Sequence, residues 1–383
     1  MKIRIKTLTP IWTGDVDGKC SKIKETGIIG SLRWWYEALV RGYGGYACDP
    51  SNSECKFDYD TYEKTKNIED GLEKVCPVCR LFGCTGWSRR FRLEIKDAQK
   101  IPLCLSATSK SDYRHTKLDN LWWLKQIYKK SEKVFFDDNI CIEIHTINKI
   151  NENFDEEDIR NMVLFLFAVI SKQGSIGAKI QNGFGVFDIV TVIDKNRLSR
   201  GLEKTKELAE IKQGGQVNFP SFNDFFSLTY SVSNDSIYIQ PEKFFGTLNS
   251  LLKNRFVPSG FSIKYDLRKK IKNDSTPCKA ICSNFEYLCK GENEKMVRKT
   301  ISRFLFGSDK DKFSAKINFT HLYKDKENEN YLLNVFGFVP NKVSFENKTL
   351  EFNIRSIKNI LYIEFGNPYN EEYGVSCLSE VIK

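Results

Sequence analysis

The chain has 383 residues, more than one hydrophobic core usually serves, so two domains are expected. Hydrophobic residues make up 41% and charged residues 28%, which places it among soluble globular proteins; its longest apolar run, Met162 to Ile170, is far short of a membrane span. The formal charge of +10 (59 Lys+Arg against 49 Asp+Glu) favours a polyanionic partner but also serves plain solubility.

The start, MKIRIKTLTP, lacks the apolar stretch of a signal peptide, and a cytoplasmic location is expected. Twelve cysteines in that setting are reduced or metal-bound rather than paired. His115, His145 and His321 are the only histidines, which limits any mechanism that needs imidazole.

Residues 2–8 alternate, with Ile3 and Ile5 on one face, and predict a half-buried strand. In residues 28–41, Ile28, Leu32, Trp35 and Leu39 share one helical face, which makes Trp35 a core residue, and Gly42 ends the run. Residues 155–172 predict a second helix, opened by four acidic residues that suit the positive end of the helix dipole. A glycine-rich segment, 174–185, precedes a strand over 186–192. This order fits a ferredoxin-like βαββαβ unit, the first domain, over residues 1–193. Residues 194–217 are charged and helical and are expected to link the domains. A second ferredoxin-like domain is expected over 218–383, with strands at 226–231, 236–239, 317–322, 332–338 and 350–365 and a first helix at 261–272. The fold class is thus α+β, two tandem ferredoxin-like domains with insertions.

Four segments carry candidate chemistry. Cys48 and Cys55 are spaced C-x6-C, Cys76 and Cys79 form a C-P-V-C knuckle, and Cys84 follows five residues later. A knuckle turns two thiolates toward one metal, so a structural zinc would staple this otherwise polar insertion; free thiols are the alternative. In the first helix, Gly30 and Ser31 lie near amides that can hold a phosphate, with Lys22 and Lys24 just upstream. Arg33, Glu37 and Arg41 form a stripe that reads either as a salt-bridge ladder or, beside Trp34, as part of a single-strand RNA surface.

The glycine loop is neither a Walker A loop nor a dinucleotide fingerprint. Lys172, Lys179, Gln181 and Asn182 offer phosphate and base-edge contacts there, Gly183 and Gly185 allow close backbone approach, and Phe184 offers stacking. A tight helix-to-strand connection is the plainer alternative. Finally, residues 253–272 hold seven basic residues, Lys264 and Arg268 among them, against one acid, Asp266. Such a run is commonly a solvated face. Asp15-Val16-Asp17-Gly18 does not satisfy a calcium loop, and no zinc-protease or nucleophile-elbow motif occurs.

The strings T-P-I-W-T-G-D-V-D-G-K (9–19), E-T-G-I-I-G-S-L-R-W-W-Y-E-A-L-V-R-G (25–42) and C-P-V-C-R-L-F-G-C-T-G-W-S-R-R-F-R-L (76–93) resemble the RAMP superfamily. More narrowly they are similar to the first-numbered subunit of the type III-B (Cmr) CRISPR effector. The glycine loop resembles the G-rich loop of RAMP proteins; the second domain carries only weaker strings, such as 260–268. The resemblance implies an RNA-binding subunit of a ribonucleoprotein in antiviral defence, capping the 3′ side of the guide RNA and aiding capture of the single-stranded target RNA. It implies other Cmr subunits as partners, the backbone RAMP subunit in particular, with target cleavage residing there. It implies Cys48, Cys55, Cys76 and Cys79 as the zinc ligands, leaving out Cys84. Two alternatives remain open. A RAMP endoribonuclease that processes precursor RNA would need a general base such as His115 or His145. A purely structural subunit would touch only protein.

Overall fold

Alternation at the start of the chain is realised as β1 (Lys2–Thr7), whose Ile3 and Ile5 are buried. The computed structural model describes residues 1–14, 20–52, 55–96, 100–103, 132–212, 219–239, 255–257, 259–291, 293–308, 313–324 and 330–383. His115, Lys253 of the basic run and the segment 15–18 discussed above lie outside the described residues.

After β1 come α1 (Glu25–Gly42), the short insertion helices α2 (Tyr59–Thr65), α3 (Ile68–Leu72) and α4 (Pro77–Phe82), then β2 (Phe91–Lys96). The pair β3 (Lys100–Leu103) and β4 (Glu132–Phe135) precedes β5 (Ile140–Thr146), α5 (Glu156–Gln173) and β6 (Phe187–Ile189). Four strands form an antiparallel sheet in the order β2-β5-β1-β6, the ferredoxin-like order. Ile3 pairs with Ile142 and Leu93 with Ile144, so one face is apolar and carries α1 and α5. Asp155 caps α5 in a reciprocal capping box with Asp158, which explains why the acidic cluster opens this helix.

The stretch expected to link the domains is α6 (Lys195–Glu210), and it is no free tether. Leu198, Leu202, Leu208 and Ala209 are buried, and a Cβ on Gly201 would lie 2.2 Å from the Asn161 carbonyl of α5. The link is therefore a third helix of the first unit.

The second unit comprises β7 (Phe225–Val232), β8 (Phe256–Val257), α7 (Gly260–Asn273), α8 (Thr276–Ile281), α9 (Phe285–Lys290) and α10 (Glu294–Phe306). β9 (Ile317–Phe319), β10 (Leu322–Tyr323), β11 (Tyr331–Phe338), the hairpin β12 (Lys342–Phe345) and β13 (Lys348–Glu351), α11 (Ile357–Phe365), β14 (Asn370–Tyr373) and α12 (Cys377–Glu380) complete it. Its sheet runs β14-β7-β11-β10-β8, with β9 also on β11, again the ferredoxin-like order. Two expected strands fail. Residues 237–239 form a 3-10 turn. The segment 350–365 divides into the end of β13 and helix α11, because Ile357, Ile360 and Leu361 recur at helical spacing and bury together.

The units share one core. Trp35 of α1 is fully buried, with its ring 5.9 to 6.0 Å from those of Phe222, Phe225 and Phe336 and 5.8 Å from Phe338. Its indole Nε1 donates to the Ser175 carbonyl at 3.1 Å. Gly174 is required beside it, since a Cβ there would stand 2.2 Å from the ring. Among the described residues no helix is long and apolar enough to cross a membrane.

Candidate nucleic-acid interface and metal centre

The knuckle is built by α4. Pro77 occupies its first turn, and the Cys76 sulfur at the N-cap accepts from the Cys79 amide at 3.5 Å. The Cys55 sulfur in turn accepts from the Cys76 amide at 3.3 Å. Cys48 enters from the chain leaving α1, with its sulfur 3.4 Å from that of Cys79. All four are buried, and their sulfurs lie within 4.8 Å of one another. A zinc with four thiolates at about 2.3 Å sets its sulfurs about 3.8 Å apart, so the donor set and the spacing both fit. Cys84 is half-buried and outside this group.

Arg33 reaches the centre from α1. Its Nη2 lies 3.3 Å from the Cys79 sulfur and 3.8 Å from that of Cys48, while Nη1 donates to the Gly83 carbonyl at 3.3 Å and Nε to Glu37 at 3.0 Å. Burial opposes the charge on this guanidinium, yet Cys79 and Glu37 outweigh it and hold its pKa above the ordinary value. Thiol hydrogen bonds from Cys48 and then Cys55 hold Cys79 below the usual thiol range. A cluster of this kind ionises most readily around a cation.

The basic residues ahead of α1 and those of the glycine loop meet on one segment, Pro10 to Thr13. On one side the Thr13 hydroxyl donates to the Lys22 carbonyl at 3.1 Å and accepts from the Lys24 amide at 2.9 Å. On the other, the Ala178 amide donates to the Trp12 carbonyl and the Gly185 amide to the Pro10 carbonyl, each at 2.9 Å. Lys179, in the left-handed region at φ 59°, places its ammonium 4.0 Å from the centre of the Trp12 ring. No side chain caps α1, whose N-cap is Lys24, although Glu25 takes up part of its positive end. Trp12 Nε1 and Ser31 Oγ are buried atoms with no hydrogen-bond partner among the described residues. Lys22, Gly30, Lys172 and Gln181 are exposed, and Lys24, Ser31, Lys179 and Asn182 half-buried.

Several residues expected at an RNA surface lie elsewhere. Arg33 is committed to the thiolates. Arg41 is buried and donates to the carbonyls of Pro220 at 3.2 Å and Ala47 at 3.3 Å, bracing α1 against the second unit. Trp34 is half-buried, with edge contacts to Trp35 at 5.4 Å and Phe338 at 5.3 Å. Gly183, Phe184 and Gly185 face inward: the Gly183 carbonyl accepts from the His321 amide at 3.1 Å, and Phe184 lies fully buried, 5.0 Å from the His321 ring. The close approach that these glycines allow is to protein. Lys264 and Arg268 lie half-buried on α7, which packs against the 180–182 turn of the glycine loop.

Two positions at the hub, Trp12 and Thr13, escaped the reading of charges. Their signal was a Thr-Pro-Ile-Trp-Thr string in a connection between strand and helix, with an aromatic where a solvent loop is usually polar. On the open face of the first sheet, Glu94, Glu143 and His145 converge within 4.8 Å. Glu143 is already paired with Lys2 at 2.9 Å and Lys96 at 3.1 Å, and these lysines, Lys2 first, hold its carboxyl down at about 2.

Residues 4–188 match the family model described as the RAMP superfamily. Comparison with curated proteins finds no match. Among solved structures, apo Cmr1 from Pyrococcus furiosus superposes with a TM-score of 0.44 at 12% identity, covering 94% of this chain and 95% of that one. Two chains from type III-B Cmr-beta assemblies bound to cognate target RNA, one of them also with AMPPnP and in the presence of ssDNA, give 0.42 and 0.41 at 13% identity, each covering 100% of this chain and 99% of the other.

Proposed function

Because residues 4–188 belong to the RAMP superfamily, we propose that this chain is an RNA-binding subunit of a type III-B CRISPR ribonucleoprotein. In this reading it caps the 3′ side of the guide RNA and aids capture of the single-stranded target in antiviral defence. Its partners are the other Cmr subunits, the backbone RAMP subunit in particular, and it binds rather than cuts. The chain divides into a RAMP domain over 1–193, on which the connecting helix α6 packs, and a second over 218–383.

One observation carries the reading: the bare start of α1 and the glycine loop are held on opposite sides of Pro10–Thr13, which brings Lys22, Lys24 and Lys179 to one region beside an indole. Lysine ammoniums and uncapped amides suit phosphate oxygens, and Gln181 and Asn182 suit base edges. Such a surface reads backbone and end geometry, while guide pairing supplies sequence. A structural zinc on Cys48, Cys55, Cys76 and Cys79 completes the proposal. When bound it neutralises the thiolates and ties the insertion to α1, with Arg33 donating N–H to their sulfurs.

Fluorescence anisotropy of a labelled single-stranded RNA across a salt series tests this reading. Lys24→Ala with Lys179→Ala is expected to weaken binding and flatten its salt dependence by about 0.7 per lost contact. Equal affinity and slope in the variant and the parent chain would overturn it.

A further inference from the structure

The end of α5 and strand β14 wall a cleft of about 660 Å³ at the seam of the two units. Lys172 and Gln173 come from α5, and Arg355, Asn370, Glu372 and Tyr373 from the second unit. A cleft of this volume suits a ligand of nucleotide size.

Its inner part is rich in acceptors and short of donors. Gln173 is 1% exposed; its Nε2 donates to Glu372, but its Oε1 is buried and has no hydrogen-bond partner among the described residues. Turning the amide over would leave Nε2 unpaired instead. Glu372 is half-buried and makes no ion pair among the described residues. Neutral amides alone hold it, Gln173 and Asn370, whose Nδ2 donates at 2.9 Å. The neighbouring carboxylates are answered, Glu371 by Lys358 at 2.9 Å and Glu380 by Lys383 at 2.6 Å. Burial first, and then the Glu372 charge, push the Cys377 thiol up, so it stays neutral and adds no second anion.

The rim is the reverse. Lys172 is exposed and makes no ion pair among the described residues. Arg355 is exposed, with its guanidinium 4.9 Å from the centre of the Tyr373 ring. Acceptors beneath a cationic rim call for a ligand that is anionic at one end and offers N–H groups at the other. A basic side chain of a partner protein would suit the acceptors but is repelled at the rim. Among the nucleobases, guanine alone sets two N–H donors side by side, N1–H and N2–H. On adenine, cytosine and uracil each donor is flanked by acceptors, which would meet the Glu372 oxygens lone pair to lone pair.

We propose that this cleft binds a guanosine phosphate. The guanine N1–H and N2–H donate to the Glu372 carboxylate with Gln173 Oε1 beside it, and the phosphate meets Lys172 and Arg355. The ligand is a free guanine nucleotide or a guanosine splayed out of an RNA strand, and only the second case rests on the RNA-binding reading above. The glycine-loop surface reads backbone; this cleft adds one point at which a base is read.

The test uses the full chain and the fluorescent nucleotide mant-GMP, displaced by unlabelled GMP, AMP, CMP and UMP. GMP is expected to displace it about 10-fold to 100-fold better than the other three, and Glu372→Gln to abolish that preference. Lys172→Ala serves where Glu372→Gln folds poorly: it is expected to weaken GMP but not guanosine, which lacks the phosphate. A second arm compares labelled oligouridine with the same strand carrying one internal guanosine. Tighter binding of the guanosine strand assigns the cleft to RNA, and a preference for GMP without it assigns the cleft to a free nucleotide. Equal displacement by all four nucleotides, together with equal affinity for the two strands, overturns the inference; oligouridine binding in that case leaves the RNA-binding reading standing. A guanine preference that survives in Glu372→Gln also overturns it. A guanine preference in a chain that does not bind oligouridine upholds the cleft and overturns the RNA-binding reading.

Discussion

The Arg33 guanidinium of α1 donates to the Cys79 sulfur of α4 across 3.3 Å. It couples a helix of the ferredoxin-like scaffold to an insertion that, against the expectation of a polar segment, buries Phe57, Leu72, Val75, Val78, Leu81 and Trp87. An N–H···S donor stabilises the thiolate and orients it, so its removal is felt as metal affinity. Arg33→Ala is expected to lower zinc affinity by about 10–100-fold in a chelator competition. Retention equal to the parent chain would separate Arg33 from the centre.

Elemental analysis of the purified chain is expected to return about one zinc per molecule, and less than about a tenth of one in Cys76→Ser. Acid should release the metal as the thiolates take up protons. A parent chain with the metal content of Cys76→Ser would leave four free thiols in place of a centre.

Trp35→Ala is expected to destabilise by about 3–5 kcal/mol in denaturant unfolding. The ring lies between α1 of the first unit and the Phe225, Phe336 and Phe338 side chains of the second, so both units should unfold in one transition in the parent chain. Two resolved transitions there would show that the shared core does not couple them.

Gly183 sits at φ +98°, and a Cβ would stand 2.5 Å from His321 Nδ1 and 2.6 Å from its backbone nitrogen. Gly183→Ala therefore forces both a strained backbone and a clash at the junction of the units. A loss of more than about 1 kcal/mol is expected. Unchanged stability would mean that the loop does not press on His321.

His321 is fully buried, and burial lowers its pKa from the ordinary 6.5 to about 3. Its Nδ1 accepts from the Gly260 amide at 3.3 Å, which suits the neutral ring. The fold thus refuses a proton that the unfolded chain accepts. Stability from this group is complete above pH 6.5 and is lost as pH falls toward 3, with a slope approaching about 1.4 kcal/mol per unit. Between pH 6.5 and 5, above the carboxylate range, the parent chain should lose stability while His321→Gln, less stable at neutral pH, should not share that slope. Parallel curves would place the titration elsewhere.

Local pattern predicted much of this molecule. The alternation of Ile3 and Ile5, the helical period through Trp35 and the acidic opening of α5 each encode one element, because backbone geometry alone sets periods of 2 and 3.6. The knuckle spacing marked its thiolates for the same reason: a tight turn aims both side chains one way. Where composition misled, a competing local preference won. Residues 357–365 are rich in Ile and aromatic side chains, yet bury the face of a helix.

The side chains of Arg33, Arg41 and Phe184 are the contrary case. Each has a type found on RNA surfaces, and each is spent on the protein: Arg33 on sulfur, Arg41 on two carbonyls of other segments, Phe184 in the core. For Arg33 and Arg41 a deciding partner lies far away in the chain, 46 residues off for Arg33 and Cys79 and 179 for Arg41 and Pro220. By itself, then, the sequence determined the elements and the Cys76–Cys79 knuckle, since these depend on neighbours within a few residues, while likeness to a family implied Cys48 and Cys55 as the other two thiolates. Tertiary structure alone decided which cations face solvent and that Trp12 and Thr13 join two loops. A long side chain reaches several ångströms in any direction, and only the packed chain fixes what it meets there.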